Sequence, residues 1–423
     1  MNNIRTLAAM TVGAILLSVF FAVALNDTTR EVDIDGGEER SVQHVESGDE
    51  GEFILKDEGR FLKAKWRGPF KVSASGADIE KLERYLEIFL KKDGVERRAV
   101  FKRDDEDEIS RRLYVDNEKQ PVSAETDEEI AVLLKGFLRA SGMNAKERVA
   151  ALVRIGGADA VLEEIALLEG DHALRRYVMA LTKTADLDAE QIDALIGYAS
   201  AIEGDHELSR SLQAILQYED VPASLTPALL TAAASIDSSH DLRKLVEAIA
   251  KRPLDNETTD LALDMFRRID SDHDLRQAAL ALLDNDALME EGAPRILAAA
   301  ARAIDSDHDM RTLLEITAPD FTKNASFRDA WLDGLGSIDS DYDKRVSIER
   351  VVSAGGVARA EDWRALIDAT EDIDGSYDKR LALVAIAEKF DAAPELLVAY
   401  RDAAEGIDSD FDRENALEAL LDR

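Results

Sequence analysis

Leu242, Leu245, Val246 and Ile249 recur at i, i+3, i+4 and i+7, the spacing that gives a helix one apolar stripe. Leu275, Ala278, Ala279 and Leu282 repeat it, as do Leu208, Ser211, Leu212 and Ile215 with a serine in one place. A second apolar-rich stretch runs ahead of each: "AEQIDALIGYASAI", "TPALLTAAASI", "APRILAAAARAI" and "PELLVAYRDAAEGI". Proline, glycine and aspartate punctuate the joins, as in "APDFTKNAS" and "KRPLDNET", where turns are expected. The pattern predicts pairs of antiparallel helices.

The short segment between the members of a pair is itself repeated. It occurs as "LEGDHALR" from 168, "IEGDHELS" from 202, "IDSSHDLR" from 236 and "IDSDHDLR" from 269. It continues as "IDSDHDMR" from 304, "IDSDYDKR" from 338, "IDGSYDKR" from 373 and "IDSDFDRE" from 407. The spacings are 34, 34, 33, 35, 34, 35 and 34, and a period this regular marks a stacked-repeat array. The predicted fold is mainly α: a right-handed-type α-solenoid of about eight two-helix repeats, each of ~34 residues. A small antiparallel β module and an N-terminal apolar helix precede it.

The fourth place of the motif is always Asp or Ser: Asp171, Asp205, Ser239, Asp272, Asp307, Asp341, Ser376 and Asp410. These residue types cap helix N-termini by accepting hydrogen bonds from unpaired backbone N–H groups, so a helix-cap role is expected for all eight. The third place, Gly or Ser, suits the tight turn out of the preceding helix. The sixth is acidic in seven of eight copies, which suits the positive end of the helix dipole. The recurrent Arg175, Arg243, Arg276, Arg311, Arg345 and Arg380 can each reach an aspartate of a neighbouring unit. A ladder of such inter-repeat pairs is expected.

Two ion readings compete with capping. Asp270, Asp272 and Asp274 match the first three ligand places of an EF-hand loop, but Leu275 stands where glycine is needed and Ala281 where a bidentate glutamate is needed. Five of six histidines (His172, His206, His240, His273, His308) share the fifth motif place. Helices packed about 8–10 Å apart would hold them too far apart to share a zinc at ~2 Å from each. Tyr342, Tyr377 and Phe411 take that place in the last three copies, so it asks for a flat ring. No metal and no cofactor is expected.

Residues 51–120 follow a different period. Leu62, Ala64 and Trp66 alternate with charged residues, Phe70, Val72 and Ala74 with polar ones, and Leu86, Ile88 and Leu90 repeat the two-residue step of a half-buried strand. Asp93-Gly94 within "KKDGVE" signals a hairpin, and "KRDDEDEIS" a further turn before Ile109, Leu113 and Val115. The expectation is five or six short strands, with a short helix near Ile79 and Leu82. "GRFLKAKWRG" mixes cations with an aromatic, and alternating charge on a solvated sheet face accounts for it.

At the amino terminus, Thr6 to Leu25 is uncharged, close to the ~20 residues that cross a bilayer as a helix. Arg5 precedes it, and Arg30 follows among Asp27, Glu31, Asp33 and Asp35. The positive-inside rule counts Arg and Lys, so Arg5 favours a cytoplasmic N-terminus, with Arg30 opposing it from the far side. The expectation is an inner-membrane anchor with the soluble region in the periplasm. The alternative is a signal peptide cleaved near "AVA" at 22–24, which leaves a secreted or periplasmic chain. The expected divisions are 1–25 anchor or signal peptide, 26–50 polar linker, 51–120 β module and 121–423 acidic α-solenoid.

Charge refines this picture. The net charge is −35. Residues 51–120 carry 17 basic and 16 acidic side chains, and residues 1–50 carry 3 and 9, so 121–423 holds −30. Such a surface repels phosphate and excludes nucleic acid as a partner, while it attracts a basic protein segment. The chain has no cysteine, which excludes disulfides, thiolate metal sites and cysteine nucleophiles. No phosphate loop, G-x-S-x-G elbow or metal triad occurs.

The period and paired helices resemble HEAT-like α-solenoids. The I-D-S-D-[YHF]-D-K-R units look like repeat arrays of bacterial envelope proteins of largely uncharacterised function, some of which accompany membrane metallopeptidases of the antibiotic-sensor type. The resemblance covers roughly 160–423. It carries no peptidase activity over, because "HELSR" at 206–210 breaks H-E-x-x-H. It implies a non-enzymatic envelope protein whose acidic surface binds or scaffolds a basic protein partner, with an enzyme of unrecognised site or a pH- or cation-responsive spacer as alternatives.

Overall fold

The computed structural model describes residues 41–421 apart from positions 48, 58, 105, 220, 254, 286–290, 391 and 392. The expected anchor at 1–25 and the first part of the linker, 26–40, lie outside the described residues. The protein is mainly helical with an antiparallel sheet towards its N-terminus, and among the described residues it has seventeen α-helices. None of these is long and apolar enough to cross a membrane. The chain divides into two compact units, one ending at Gly204 and one beginning at Asp205.

In the first unit, seven antiparallel strands form one sheet in the order β1 (Ser41–Ser47), β2 (Glu50–Asp57), β3 (Arg60–Arg67), β6 (Tyr85–Lys92), β7 (Val95–Arg103), β8 (Ile109–Val115) and β9 (Glu118–Lys119). The ribbon β4 (Phe70–Val72) with β5 (Ile79–Leu82) is inserted between β3 and β6. Strict alternation sends Phe53, Leu55, Leu62, Ala64, Trp66, Leu86, Ile88, Ala99, Phe101 and Leu113 to one face, all but fully buried. Helix Ala124–Ser141 covers that face with Ile130, Leu133, Leu134, Phe137 and Leu138. Ser123 caps it by accepting from Thr126 N–H, and Gly142, at φ 64°, ends it in the left-handed conformation. Asp93 and Gly94 both take positive φ (54° and 79°), as the two-residue turn between β6 and β7 requires.

Two expectations change here. The short helix near Ile79 and Leu82 is strand β5. A register shift between Lys71 and Val72 lets residues three apart both turn inward, which the sequence mimics as a helical step. The polar linker expected to reach residue 50 gives way at Ser41 to β1, where Val42 packs against the core. The strand reads Ser-Val-Gln-His-Val-Glu-Ser, with only two apolar residues three places apart, so no two-residue alternation marks it and its polarity resembles that of a loop.

Beyond the sheet, helix Ala145–Ile165 breaks direction at Gly156 and Gly157, whose φ/ψ are non-helical. Helices Asp171–Leu181 and Ala189–Ala199 complete the unit. A buried ion network ties it together. Arg139 makes two 2.9 Å hydrogen bonds to Glu164, and Arg148, 2% exposed, donates to Glu164 at 2.8 Å and to the Tyr177 hydroxyl at 2.5 Å.

In the second unit, the motif helices Asp205–Leu216, Ser239–Ile249, Asp272–Leu283, Asp307–Thr317, Asp341–Ala354, Ser376–Ala387 and Asp410–Glu418 each pack on the next. The intervening helices Thr226–Ala232, Asn256–Phe266, Gly292–Ala303, Ala325–Gly336, Ala360–Ala369 and Pro394–Glu405 do the same in a second row. The first motif residue, Ile236, Ile269, Ile304, Ile338, Ile373 or Ile407, is buried at the join. Truncating a side chain so enclosed costs about 2–5 kcal/mol. Two buried aromatic residues of this core bond across helices: Trp331 Nε1 donates to Leu314 O and the Tyr400 hydroxyl to Ala416 O.

Candidate binding surface

The repeated motif is where the sequence concentrates its chemistry, and most copies give the third, fourth, sixth and eighth places a partner. Helix capping belongs to the third place. Ser238, Ser271, Ser306, Ser340 and Ser409 each accept from the backbone N–H three residues on, at 3.3 Å. Asp171, Asp205, Ser239, Asp272, Asp307, Asp341, Ser376 and Asp410 stand one residue later, at the first position of their helices. They do not cap those helices, and the expected role is corrected accordingly.

Seven of these eight side chains reach the following copy instead. Asp171 accepts from Glu203 and Gly204 N–H, and Asp205 from Asp237 and Ser238 N–H, at 2.7–3.1 Å. Asp307 holds Asp339 and Ser340, and Asp341 holds Asp374 and Gly375, at 2.8–3.1 Å. Asp272 accepts from Asp305 N–H, Ser239 Oγ from Asp270 N–H and Ser376 Oγ from Ser409 N–H. Backbone N–H groups just ahead of a helix have no partner within it, and the carboxylate of the preceding copy supplies one. Asp410 pairs with Arg413 in its own helix.

The eighth-place arginines make a second set of links. Arg243 Nε lies 2.5 Å from Asp274, Arg276 Nε 2.8 Å from Asp309, Arg311 Nε 2.8 Å from Asp343, Arg345 Nε 2.7 Å from Asp378 and Arg380 Nε 2.8 Å from Asp412. Each ion pair runs to the sixth place of the next copy and has both partners largely buried; for Arg276, Arg345 and Arg380 it is also a hydrogen bond from Nε. Arg175 lies against His172 and Met179 of its own helix. Burial opposes the charge of Arg345, but hydrogen bonds to Glu349 and Asp378 outweigh it and raise its pKa. Burial likewise pushes the Glu247 carboxyl up, and Lys244 and Arg243 together hold it below its usual value.

The fifth-place ring leans on the arginine three residues on. His172, His240, His273 and His308 present Nδ1 at 3.0–3.2 Å to the guanidinium of Arg175, Arg243, Arg276 and Arg311. A guanidinium only donates, so Nδ1 accepts and the ring proton resides on Nε2. Arg345 and Arg380 lie 5.0 and 5.1 Å over the rings of Tyr342 and Tyr377. An imidazole lone pair and a phenol face both offer electron density to a cation, which is why His and Tyr exchange here. The other side of the ring meets solvent: Tyr342, Tyr377 and Phe411 are 54%, 60% and 71% exposed.

The three aspartates of "IDSDHDLR" therefore diverge. Asp270 is exposed, Asp272 turns to Asp305 N–H and Asp274 to Arg243. Among the described residues, no group of three His, Asp or Glu side chains is placed to hold a metal ion.

Sequence reasoning missed a further set of stitches. Arg252 donates to Leu216 O and Val221 O, Arg268 to Ile236 O, and Asn285 to Ala250 O and Arg252 O. Asp362, fully buried, sits between Arg328 and Arg359. Arg252 and Asn285 share one place of the repeat, and Arg328 and Asp362 another, but the residue type at each place changes from copy to copy, so no conserved letter reveals them.

No family model, no curated protein and no solved structure matches the chain.

Proposed function

We propose that the repeats build a HEAT-like α-solenoid of the right-handed type, and that this is a non-enzymatic envelope protein whose acidic helical surface binds or scaffolds a basic protein partner. In this reading Thr6–Leu25 anchors it in the inner membrane with the soluble region in the periplasm. One observation carries the binding role. In the second unit the fourth-, sixth- and eighth-place side chains are largely consumed by links between copies. What the motif leaves to solvent, copy after copy, is a second-place carboxylate (Asp237, Asp270, Asp305, Asp339, Asp374, Asp408) and a fifth-place ring.

A row of carboxylates beside rings suits lysine and arginine side chains, by charge and by cation–π contact. Stacked helices also place successive copies about 8–10 Å apart, about three residues of extended chain at ~3.3 Å each. A partner segment with a cation at every third residue would match that step. The experiment is capture of membrane-extract proteins on the full chain at low and high salt, followed by titration with a synthetic lysine-bearing peptide. Salt-sensitive capture and about tenfold weaker peptide binding to a variant with Asp305, Asp339 and Asp374 changed to Asn are expected. Capture indifferent to salt, or binding unchanged by those three substitutions, would sink the reading.

A further inference from the structure

The helical repeats leave one surface unexplained, the outer face of the sheet. Strand alternation that buries Leu62, Ala64 and Trp66 turns Lys63, Lys65 and Arg67 the other way. Cross-strand register then assembles one row through six strands: Ile54, Lys63, Phe89, Arg98, Tyr114 and Lys119. Apolar or aromatic residues and cations alternate along it, and the row contains no carboxylate. Arg98 lies 4.4 Å over the Tyr114 ring. Flanking rows bring this face of β2–β9 to nine cations and four carboxylates, Glu50, Glu52, Glu87 and Glu96, a net of +5. The acidic β7–β8 turn lies beyond the strand ends. The opposite face carries helix Ala124–Ser141, whose first turns hold Glu125, Asp127, Glu128 and Glu129.

We propose that this outer face docks on an anionic lipid surface, its cations meeting headgroup phosphates and its partly exposed Ile54, Phe89 and Tyr114 settling among them. Aromatic residues favour the bilayer interface, and each Lys or Arg near an anionic leaflet adds to the attraction. Two observations favour a membrane over a soluble polyanion. The acidic helix opposite gives the unit a direction, positive face towards the lipid. Finally, residues 26–40 separate the uncharged run Thr6–Leu25 from β1. That length reaches at most about 54 Å even fully extended, so an anchored chain keeps the face beside its own bilayer. The tether rests on the anchored reading above; the chemistry of the face does not.

Because the chain has no cysteine, a single substitution carries the only label. Full chains bearing Ser110→Cys on the outer face, or Ser353→Cys in the second unit as control, would be nitroxide-labelled and mixed with vesicles. One set is pure phosphatidylcholine and the other contains one-third phosphatidylglycerol. In phosphatidylglycerol vesicles the label at 110 should slow and gain contact with lipid-dissolved oxygen, while the label at 353 stays in water. Combined Lys63→Glu, Arg98→Glu and Lys119→Glu substitution should abolish that response, with an unchanged circular-dichroism melt showing that the sheet is intact. A label at 110 that stays equally wet in both vesicle types overturns the proposal. So does a response that survives the triple reversal, or one that heparin displaces at equal charge, which would reassign the face to a soluble polyanion. Co-flotation with pure phosphatidylcholine reports the anchor separately, so loss of the anchor and loss of the face give different results.

Discussion

Arg345 Nε lies 2.7 Å from the Asp378 carboxylate, 33 residues further along the chain. The pair joins adjacent copies, and its counterparts recur down the second unit with the Nε atom in every case. Surface ion pairs contribute little, but these partners are largely buried, and removing one leaves the other charge uncompensated. Arg345→Ala should cost about 1–3 kcal/mol. A double-mutant cycle with Asp378→Ala should return a coupling of about 1 kcal/mol or more in urea unfolding. A cycle that closes at zero would show that the ladder adds nothing to stability.

Ser306 and Asp307 are adjacent yet serve different helices. Ser306→Ala should speed amide exchange at Asp309, in the same copy. Asp307→Ala should speed exchange at Asp339 and Ser340, in the next. Each change should be about fivefold, in line with the ~1 kcal/mol of a lost cap. Exchange quickened at Asp309 by the Asp307 substitution would return that residue to capping its own helix.

The fifth place should accept His or Tyr and reject a cation. His308→Tyr should leave stability within about 0.5 kcal/mol, because a phenol face serves Arg311 as the imidazole does. His308→Lys sets a cation beside Arg311 and should cost more than His308→Ala. Thermal melts of the three variants rank them, and a lysine variant as stable as the tyrosine one would contradict the contact.

Acid should unfold the first unit through Glu164. Burial pushes this carboxyl up, but Arg139 and Arg148 outweigh burial and hold its pKa below the ordinary value. The unfolded chain therefore takes up this proton at a higher pH than the folded one. The stabilisation is complete above the unfolded pKa of about 4.3 and is lost as pH falls through the lower, folded value. Glu164→Gln should flatten the stability profile below about pH 4.5 while lowering stability at neutral pH. At the other extreme, burial pushes the Tyr177 phenol up to about 12. Stability should also fall as pH rises from about 10, and Tyr177→Phe should remove that alkaline slope. An alkaline slope left intact in the Phe variant would assign it to another group.

The helix pairs were legible because a 3.6-residue stripe and a 34-residue period are both one-dimensional signals. Leu242, Leu245, Val246 and Ile249, spaced by that stripe, are all buried in helix Ser239–Ile249. The hairpin at Asp93-Gly94 was legible for a similar reason, since positive φ at two successive residues restricts the choice of side chain. β5 was not, because a bulge changes the step by which residues turn inward, and a bulge depends on the partner strand. The rings at His308 and Tyr342 were legible as rings, but that they face solvent over an arginine was not.

By itself the sequence determined which residues repeat, which stretches coil and where charge accumulates, since each depends on neighbours within a turn or two. Tertiary structure decided to which copy each side chain belongs. Asp307 and Ser306 are equally good caps by residue type, and only the packing of helix Asp307–Thr317 against helix Asp341–Ala354 brings Asp339 and Ser340 N–H within reach of the carboxylate. A period gives the distance between equivalent residues along the chain and says nothing of which backbone lies across the seam. The outer row of the sheet has the same origin: Lys63, Phe89, Arg98 and Tyr114 are scattered in sequence and adjacent only because strand register aligns them.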